Sequence, residues 1–299
     1  MNLAVIITAA GSSARYHDAA RAAGAELGHR SKLDEDLGGR SVLLRSVELF
    51  ASRPETRSII VAAPHADDAF ASFSRRHADA LAILGCRVVR GGPRHRWESV
   101  RAALAALPTD ATHVAVHDAA RPGTPPELID RVLDRAQHFP AVIPGVPVAD
   151  TLRRTIPAPD MTRPADPLDA ILGPSNEPTT SNALPSSPTP SLLDATTNTD
   201  PRPHLGHAPL RTHGTIDRTG LVAVQTPQVF ERSVLERAYE NPDPTATDDA
   251  HLVERLGVPV LVVPGDARNL KLTTPTDLML LRALLGLRPP AERPNHLRF

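Results

Sequence analysis

An apolar run from Leu3 to Thr8 passes straight into Ala9-Ala10-Gly11-Ser12-Ser13-Ala14-Arg15. Small residues there let the backbone approach a ligand closely and offer N–H groups to phosphate, and Arg15 adds a planar fork of donors. The pattern is neither the Walker loop nor the dinucleotide fingerprint, and a plain tight turn is the alternative. Lys32 follows after a long connection; its ammonium suits a triphosphate, although a loop lysine is also common solvated decoration. Val116-His117-Asp118-Ala119-Ala120-Arg121-Pro122 is more specific. It ends a predicted strand and puts Asp118 and Arg121 at its carboxyl end, where Pro122 stops the strand. Asp118 there could hold a ribose hydroxyl or a metal, or it could cap a turn as the partner of Arg121. Arg218 in Thr215-Ile216-Asp217-Arg218 and Lys271 in Asn269-Leu270-Lys271-Leu272-Thr273 are further cations, each also compatible with a surface ion pair. Thr226-Pro227-Gln228 lies between apolar runs. Thr247-Asp248-Asp249 reads as a helix start with Thr247 as the cap, and Thr274-Pro275 as another with proline at the first helical position.

These residues need a frame, and the rest of the chain predicts one. Leu3 to Thr8, Ser58 to Ala63, Arg87 to Arg90, His113 to His117, Ala141 to Ile143 and Val258 to Val263 read as strands. Between them, Leu43, Val47 and Phe50, and again Val100, Leu104 and Leu107, recur at i, i+4 and i+7 and so mark amphipathic helices. Strands that are continuously apolar are covered on both faces, which predicts an α/β sandwich around a mainly parallel sheet, with ligands at the strands' carboxyl ends.

The 299 residues carry a formal net charge of -1, too small for a field that would attract nucleic acid or anionic lipid. The single cysteine, Cys86, excludes an internal disulfide and a cysteine zinc cluster. The chain opens on an apolar strand without a basic leader, and its longest apolar runs, such as Leu278 to Leu285, are far short of the roughly 20 residues that span a bilayer. A cytoplasmic setting without membrane contact is expected. Residues 157–209 hold 12 of the 31 prolines among many Ser, Thr, Asn and Asp, and are expected to be a disordered insertion. The tail from 288 to 299 is also proline-rich and polar and is expected to fray. That leaves one domain over 1–287, interrupted by the insertion.

Taken in order, these segments resemble the 2-C-methyl-D-erythritol 4-phosphate cytidylyltransferase family. Ala9-Ala10-Gly11 through Arg15 resembles its glycine-rich CTP loop, Lys32 its following lysine, and Gly91-Gly92 through Arg96-Trp97-Glu98-Ser99-Val100 its second nucleotide turn. Val116 to Pro122 matches its aspartate segment. Pro147 to Thr151 and Asp217 to Leu221 resemble the two ends of its protruding arm, and Gln225 to Gln228 and Asn269 to Thr273 complete the set. Ser13 stands where a second glycine is usual, Ser31-Lys32-Leu33 replaces Pro-Lys-Gln, the 15–32 loop is lengthened, and Pro93 and Arg94 stand where an acid is common.

The resemblance implies a Rossmann-like three-layer α/β sandwich with a mainly parallel mixed sheet and a protruding dimerisation arm that contains the insertion. It implies transfer of cytidine monophosphate from CTP to 2-C-methyl-D-erythritol 4-phosphate, with Mg²⁺ bound mainly through the CTP phosphates and no protein metal cage. Arg15, Lys32 and Lys271 would be catalytic. Ala10, Gly11, Gly92, Ser99, Asp118 and Ala119 would bind CTP, and Asp118, Arg121, Thr151, Arg218 and Thr226 the sugar-alcohol phosphate. Thr151 and Arg218 would come from the partner of a homodimer. A ribitol 5-phosphate cytidylyltransferase and a non-catalytic scaffold on the same fold are the rival readings.

Overall fold

A computed structural model describes residues 1–24, 31–158 and 210–287, which form two compact units. The larger, Met1–Pro147 with Val222–Phe299, is built on a mixed sheet of eight strands. Strand β1 (Leu3–Thr8) lies at its centre, with β2 (Thr56–Ala63) and β3 (Cys86–Arg90) on one side. On the other side come β4 (His113–Asp118), β9 (Gln228–Glu231), β5 (Ala141–Pro147) and β10 (Leu261–Pro264), while β8 (Val222–Val224) also pairs with β5. Only β8 and β9 run antiparallel to their neighbours. The predicted mainly parallel α/β sheet is therefore present.

The unbroken hydrophobicity of β1 has the expected cause: Leu3 through Ile7 are all 0% exposed. Leu3, Val5 and Ile7 join one core with Val47 and Phe50 of α2 (Val42–Ala51), Val132 of α5 (Pro126–Ala136) and Leu281 of α8 (Pro275–Leu284). Ala4 and Ile6 join a second core with Val100 of α4 (Arg96–Leu104), Leu235 of α6 (Arg232–Ala238) and Leu252 of α7 (Asp249–Glu254). Successive side chains of a strand point to opposite faces, so these two cores are the two sides of a three-layer sandwich. Two further helices, α1 (Ala14–Ala22) and α3 (Asp67–Ile83), complete the described set. None of the helices is long and apolar enough to cross a membrane among the described residues.

Register decides which loops meet. Thr8 of β1 pairs with Asp118 of β4, so both strands release their following loops at one edge. Ala63 of β2 pairs with Arg90 of β3, and Gly91 N–H donates to Ala63 O at 2.8 Å, which puts the Gly91-Gly92 turn at the same edge. Because β9 runs the other way, pairing Gln228 with Val116, it is the start of β9 that arrives there, preceded by the cis Thr226–Pro227 bond. From β1 the chain continues to β2 on one flank while β4 occupies the other, the kind of switch point where open α/β sheets bind ligands.

The smaller unit, Val148–Leu221, is described through the antiparallel pair β6 (Leu152–Pro157) and β7 (Leu210–Ile216). The expected insertion at 157–209 lies outside the described residues except for Pro157, which ends β6, and Ala158; the 288–299 tail also lies outside them.

Several boundaries differ from the sequence reading. The strand predicted over Val258 to Val263 is only Leu261–Pro264, and β5 runs on to Pro147. Leu107 is buried but lies beyond the end of α4. Asp248, not Thr247, caps α7: its side chain accepts the His251 N–H at 3.0 Å. Thr274 caps α8 with Pro275 at the first position, as the sequence suggests.

Candidate active site

Asp118 closes β4 and is the anionic centre of the edge. Its Oδ2 lies 2.7 Å from Lys271 Nζ and 3.5 Å from Arg121 Nε. Burial penalises its charge, yet Lys271, Arg96 and Arg121 around it hold the carboxyl far below the usual carboxylate range. The turn reading of Asp118 is present, since Arg121 N–H also donates to its carbonyl. The Arg121 guanidinium is fixed by donation from Nη1 to Asn269 O at 2.6 Å, while its buried Nε has no hydrogen-bond acceptor among the described residues.

Lys271 is brought to Asp118 from 153 residues away by its flanks. Leu272 N–H donates to Ala120 O at 2.8 Å. Asn269, 0% exposed, donates from Nδ2 to Thr226 O at 2.9 Å and accepts from Thr124 Oγ1 at 2.8 Å. Asn269 thus ties the lysine segment to Arg121, Thr124 and Thr226 at once.

Lys32 donates to Leu272 O at 2.7 Å and so stands beside the Lys271 segment. Burial, then the like charges of Lys271 and Arg15, push its pKa down to about 8. Arg15 is the second residue of α1 and is exposed. Just before it, Ser13 adopts φ 60°, ψ 17°, a left-handed conformation that glycine enters without strain. Its hydroxyl lies 3.2 Å from Ser31 Oγ and 3.4 Å from Lys32 N, so the serine repays that conformation by joining the two loops.

His117 sets the hydroxyl of Thr226. The ring is 0% exposed and packs edge-on against Phe50, and burial pushes its pKa down to about 4. Its Nε2 lies 3.3 Å from Arg121 O, an atom that can only accept, so Nε2 carries the proton and Nδ1 is bare. Thr226 Oγ1, 3.2 Å from Nδ1, therefore donates to His117 and accepts the Asp118 N–H at 3.0 Å.

The second turn closes through Ser99, whose Oγ accepts the Gly92 N–H at 3.0 Å. Glu98 Oε2 accepts the N–H groups of Arg94 and His95, each at 2.8 Å, and caps α4. A Cβ on Gly91 would lie 2.7 Å from Ala63 O, 2.8 Å from Ser99 Oγ and 2.9 Å from Ala10 Cβ. That closeness shows Ala10, Gly91 and Ser99 sharing one wall. Ala119, 1% exposed, donates its N–H to Thr8 O.

Of the residues named from sequence, Arg15, Lys32, Asp118, Arg121, Thr226 and Lys271 converge on this edge, bordered by Ala10, Gly92, Ser99 and Ala119. Thr151 and Arg218 are exposed residues of the smaller unit. The sequence reading gave no role to Arg96, Asp249, His117 or Asn269. Arg96 Nη2 lies 2.7 Å from Asp249 Oδ2, and Asp249, 0% exposed, also accepts from the Tyr239 hydroxyl. The sequence signals of this pair were the place of Arg96 in the second turn and the acids after the expected Thr247 cap, which helix-start chemistry already explains.

No group of three or more His, Cys, Asp or Glu among the described residues is placed to hold a metal. The arrangement gathers cations around one carboxylate, a charge pattern suited to a polyanion.

The chain matches the family model described as 2-C-methyl-D-erythritol 4-phosphate cytidylyltransferase over residues 3–161 and 204–287. A protein of that name from Frankia casuarinae is 38% identical over 259 residues, 86% of this chain and 74% of the relative. One from Streptomyces coelicolor is 36% identical, over 84% of this chain and 77% of the relative. Among solved structures, a 4-diphosphocytidyl-2C-methyl-D-erythritol synthase aligns with TM-score 0.62 at 28% identity, covering 95% of this chain and 98% of the other. The 2-C-methyl-D-erythritol 4-phosphate cytidylyltransferase of Thermus thermophilus aligns with TM-score 0.58 at 26% identity, covering 96% and 100%.

Proposed function

The chain belongs to the 2-C-methyl-D-erythritol 4-phosphate cytidylyltransferase family, and from that premise we infer that it transfers cytidine monophosphate from CTP to 2-C-methyl-D-erythritol 4-phosphate. The products are 4-diphosphocytidyl-2-C-methyl-D-erythritol and pyrophosphate, a step of non-mevalonate isoprenoid precursor synthesis. The acceptor's phosphate oxygen attacks the α-phosphorus, that bond forms as the bond to the β-phosphate oxygen breaks, and pyrophosphate leaves. No enzyme nucleophile is required. Two anions must be brought together and the charge growing on the transferred phosphoryl group stabilised, which is work for positioned cations.

The observation that carries this reading is the gathering of Lys32, Lys271 and Arg15 at one edge, where burial first and then the like charges of Lys271 and Arg15 push the Lys32 pKa down to about 8. Asp118 and Asp277 offset part of that repulsion, and an entering polyanion would offset the rest. Arg15 and Lys32 suit the triphosphate, and Lys271, on the Asp118 carboxylate, suits the α-phosphate. Arg121, paired with Asp118 through Nε and tied to Asn269 O through Nη1, adds a fixed positive charge beside the place proposed for the acceptor's phosphate. With its proton committed to His117, Thr226 Oγ1 can offer a bound substrate only a lone pair. Ala10, Gly11, Gly92, Ser99 and Ala119 form the close-approach walls for the nucleoside.

Magnesium fits as a nucleotide-borne ion: Asp118 is the carboxylate beside the cations and would be its protein ligand, with phosphate oxygens supplying the rest. When bound it would neutralise charge on those oxygens. The reading includes a homodimer in which Thr151 and Arg218 serve the partner's site. In its support, the smaller unit exposes Ile216 and Leu221 at 36% and 40%, and a two-stranded unit is marginal alone. Both substrates are soluble anions, so the reading also includes a cytoplasmic setting and no nucleic-acid partner.

The test is pyrophosphate release with CTP and Mg²⁺ in parallel reactions containing methylerythritol phosphate or ribitol phosphate. Rapid release is expected with the first acceptor. Release confined to ribitol phosphate would reassign the acceptor, and none with either would leave a scaffold.

A further inference from the structure

The short 3-10 turn Lys32–Asp34 carries Lys32 at its start and Asp34 at its end. The Asp34 side chain is 5% exposed, and every strong donor around it comes from a neighbour that stabilises the turn. Its Oδ2 accepts the Ser31 N–H at 3.0 Å and lies 3.1 Å from Arg76 Nε. Its Oδ1 accepts from His77 Nε2 at 2.7 Å. His77, 4% exposed, sits on α3 against the Phe73 ring at 5.0 Å, in the layer that covers the sheet. Burial opposes the Asp34 charge, but the His77 hydrogen bond and the Arg76 charge hold its carboxyl below the ordinary value.

A buried ion pair of this kind is weak evidence for stability, because desolvation offsets most of the attraction and an apolar filler would serve as well. Its geometric effect is specific. The carboxylate fastens one end of the turn to α3, while Ser13 Oγ fastens the other to the first loop. Lys32 stands at the Ser13 anchor, partly buried and facing the like charges of Lys271 and Arg15, which Asp118 and Asp277 offset in part. The ammonium reaches Leu272 O at 2.7 Å from this turn, and a turn released from α3 would let the stem leave that carbonyl and the ammonium turn outward to water, losing the preorganised geometry on which electrostatic catalysis depends.

We propose that Asp34, held by His77 and Arg76, is a positioning residue that clamps the Lys32 turn so that the ammonium is presented to the nucleotide's phosphates. This rests on the reading of Lys32 as a triphosphate contact, and it adds three residues that act through Lys32 without touching substrate.

The experiment is steady-state kinetics with varied CTP on His77→Ala, His77→Gln and Asp34→Asn, each in the native and the Lys32→Ala background, with thermal melts alongside. His77→Ala is expected to lower kcat/KM for CTP about tenfold, and His77→Gln, whose amide is a donor of similar reach, to recover most of it. In the Lys32→Ala background the same substitutions should cost less than about twofold, because residues that act as one unit are not additive. Asp34→Asn, which keeps the side chain's shape, gives the same comparison if His77→Ala melts too low to assay. An equal loss with and without Lys32, or no loss in the native background, overturns the clamp while leaving the functional reading intact. Native activity in Lys32→Ala alone would overturn both.

Discussion

At the scale of single residues the account turns on charges held where they repel. Lys271→Ala removes the ammonium proposed to face the α-phosphate and should lower kcat by about 10²- to 10³-fold with a smaller change in KM, read by initial rates with CTP saturating. Lys32 gives a pH signature. Its pKa of about 8 is below the ordinary lysine value, so it is mostly charged at pH 7 and loses its proton as pH rises through about 8. The kcat/KM for CTP should fall across that window. Folding stability should change in the opposite sense, because above about 8 the unfolded chain binds more protons than the folded one and stability rises with pH. A Lys32→Arg variant should lose the activity inflection near 8; its persistence would assign it to another group. Asp118 and Arg121 stood out in the sequence because they follow the apolar run of β4, whereas Lys271 read as a possible surface ion pair until the family resemblance singled it out. The pairing of Arg96 with Asp249 and of Asp34 with His77 was not legible, since the partners lie 153 and 43 residues apart and no local spacing links them.

At the scale of elements, strand register gathers the loops. The parallel strands were readable because burial on both faces makes them continuous apolar runs, as Leu3 to Ile7 show. The antiparallel β9 was not, having only Val229 and Phe230 as apolar residues between Gln228 and Glu231. Yet β9 delivers Thr226 to the site. The Thr274-Pro275 helix start was legible to the residue, but at Thr247-Asp248 both side chains can cap and only the fold chooses Asp248. The Gly91 turn makes a prediction at this scale. A Cβ there meets the Ala63 carbonyl, which is backbone and cannot rotate away. Gly91→Ala should therefore cost about 1–3 kcal/mol in denaturant unfolding and weaken CTP binding, since the wall shared by Ala10 and Ser99 must shift.

For the molecule as a whole, acid sensitivity has an identifiable contribution. His117 is neutral and fully buried when folded, with its pKa pushed down to about 4 from an ordinary 6.5. Below about 6.5 the unfolded chain takes up the proton first, so stability should fall between pH 6.5 and 4 by about 3 kcal/mol, and His117→Gln should flatten that limb of the unfolding profile. The proposed exchange of arms between subunits predicts complementation. Lys271→Ala and Arg218→Ala chains, each nearly inactive, should regain about a quarter of native activity when mixed and allowed to exchange, because half the dimers would contain one intact site. No gain on exchange would confine each site to one chain. The central claim is direct transfer of cytidine monophosphate between two anions, and its most direct test follows the α-phosphorus of CTP labelled with radioactive phosphate. With methylerythritol phosphate present, the label should appear in the diphosphocytidyl product in step with pyrophosphate release and never on the protein. Label bound to the protein, or pyrophosphate formed without the acceptor, would contradict it.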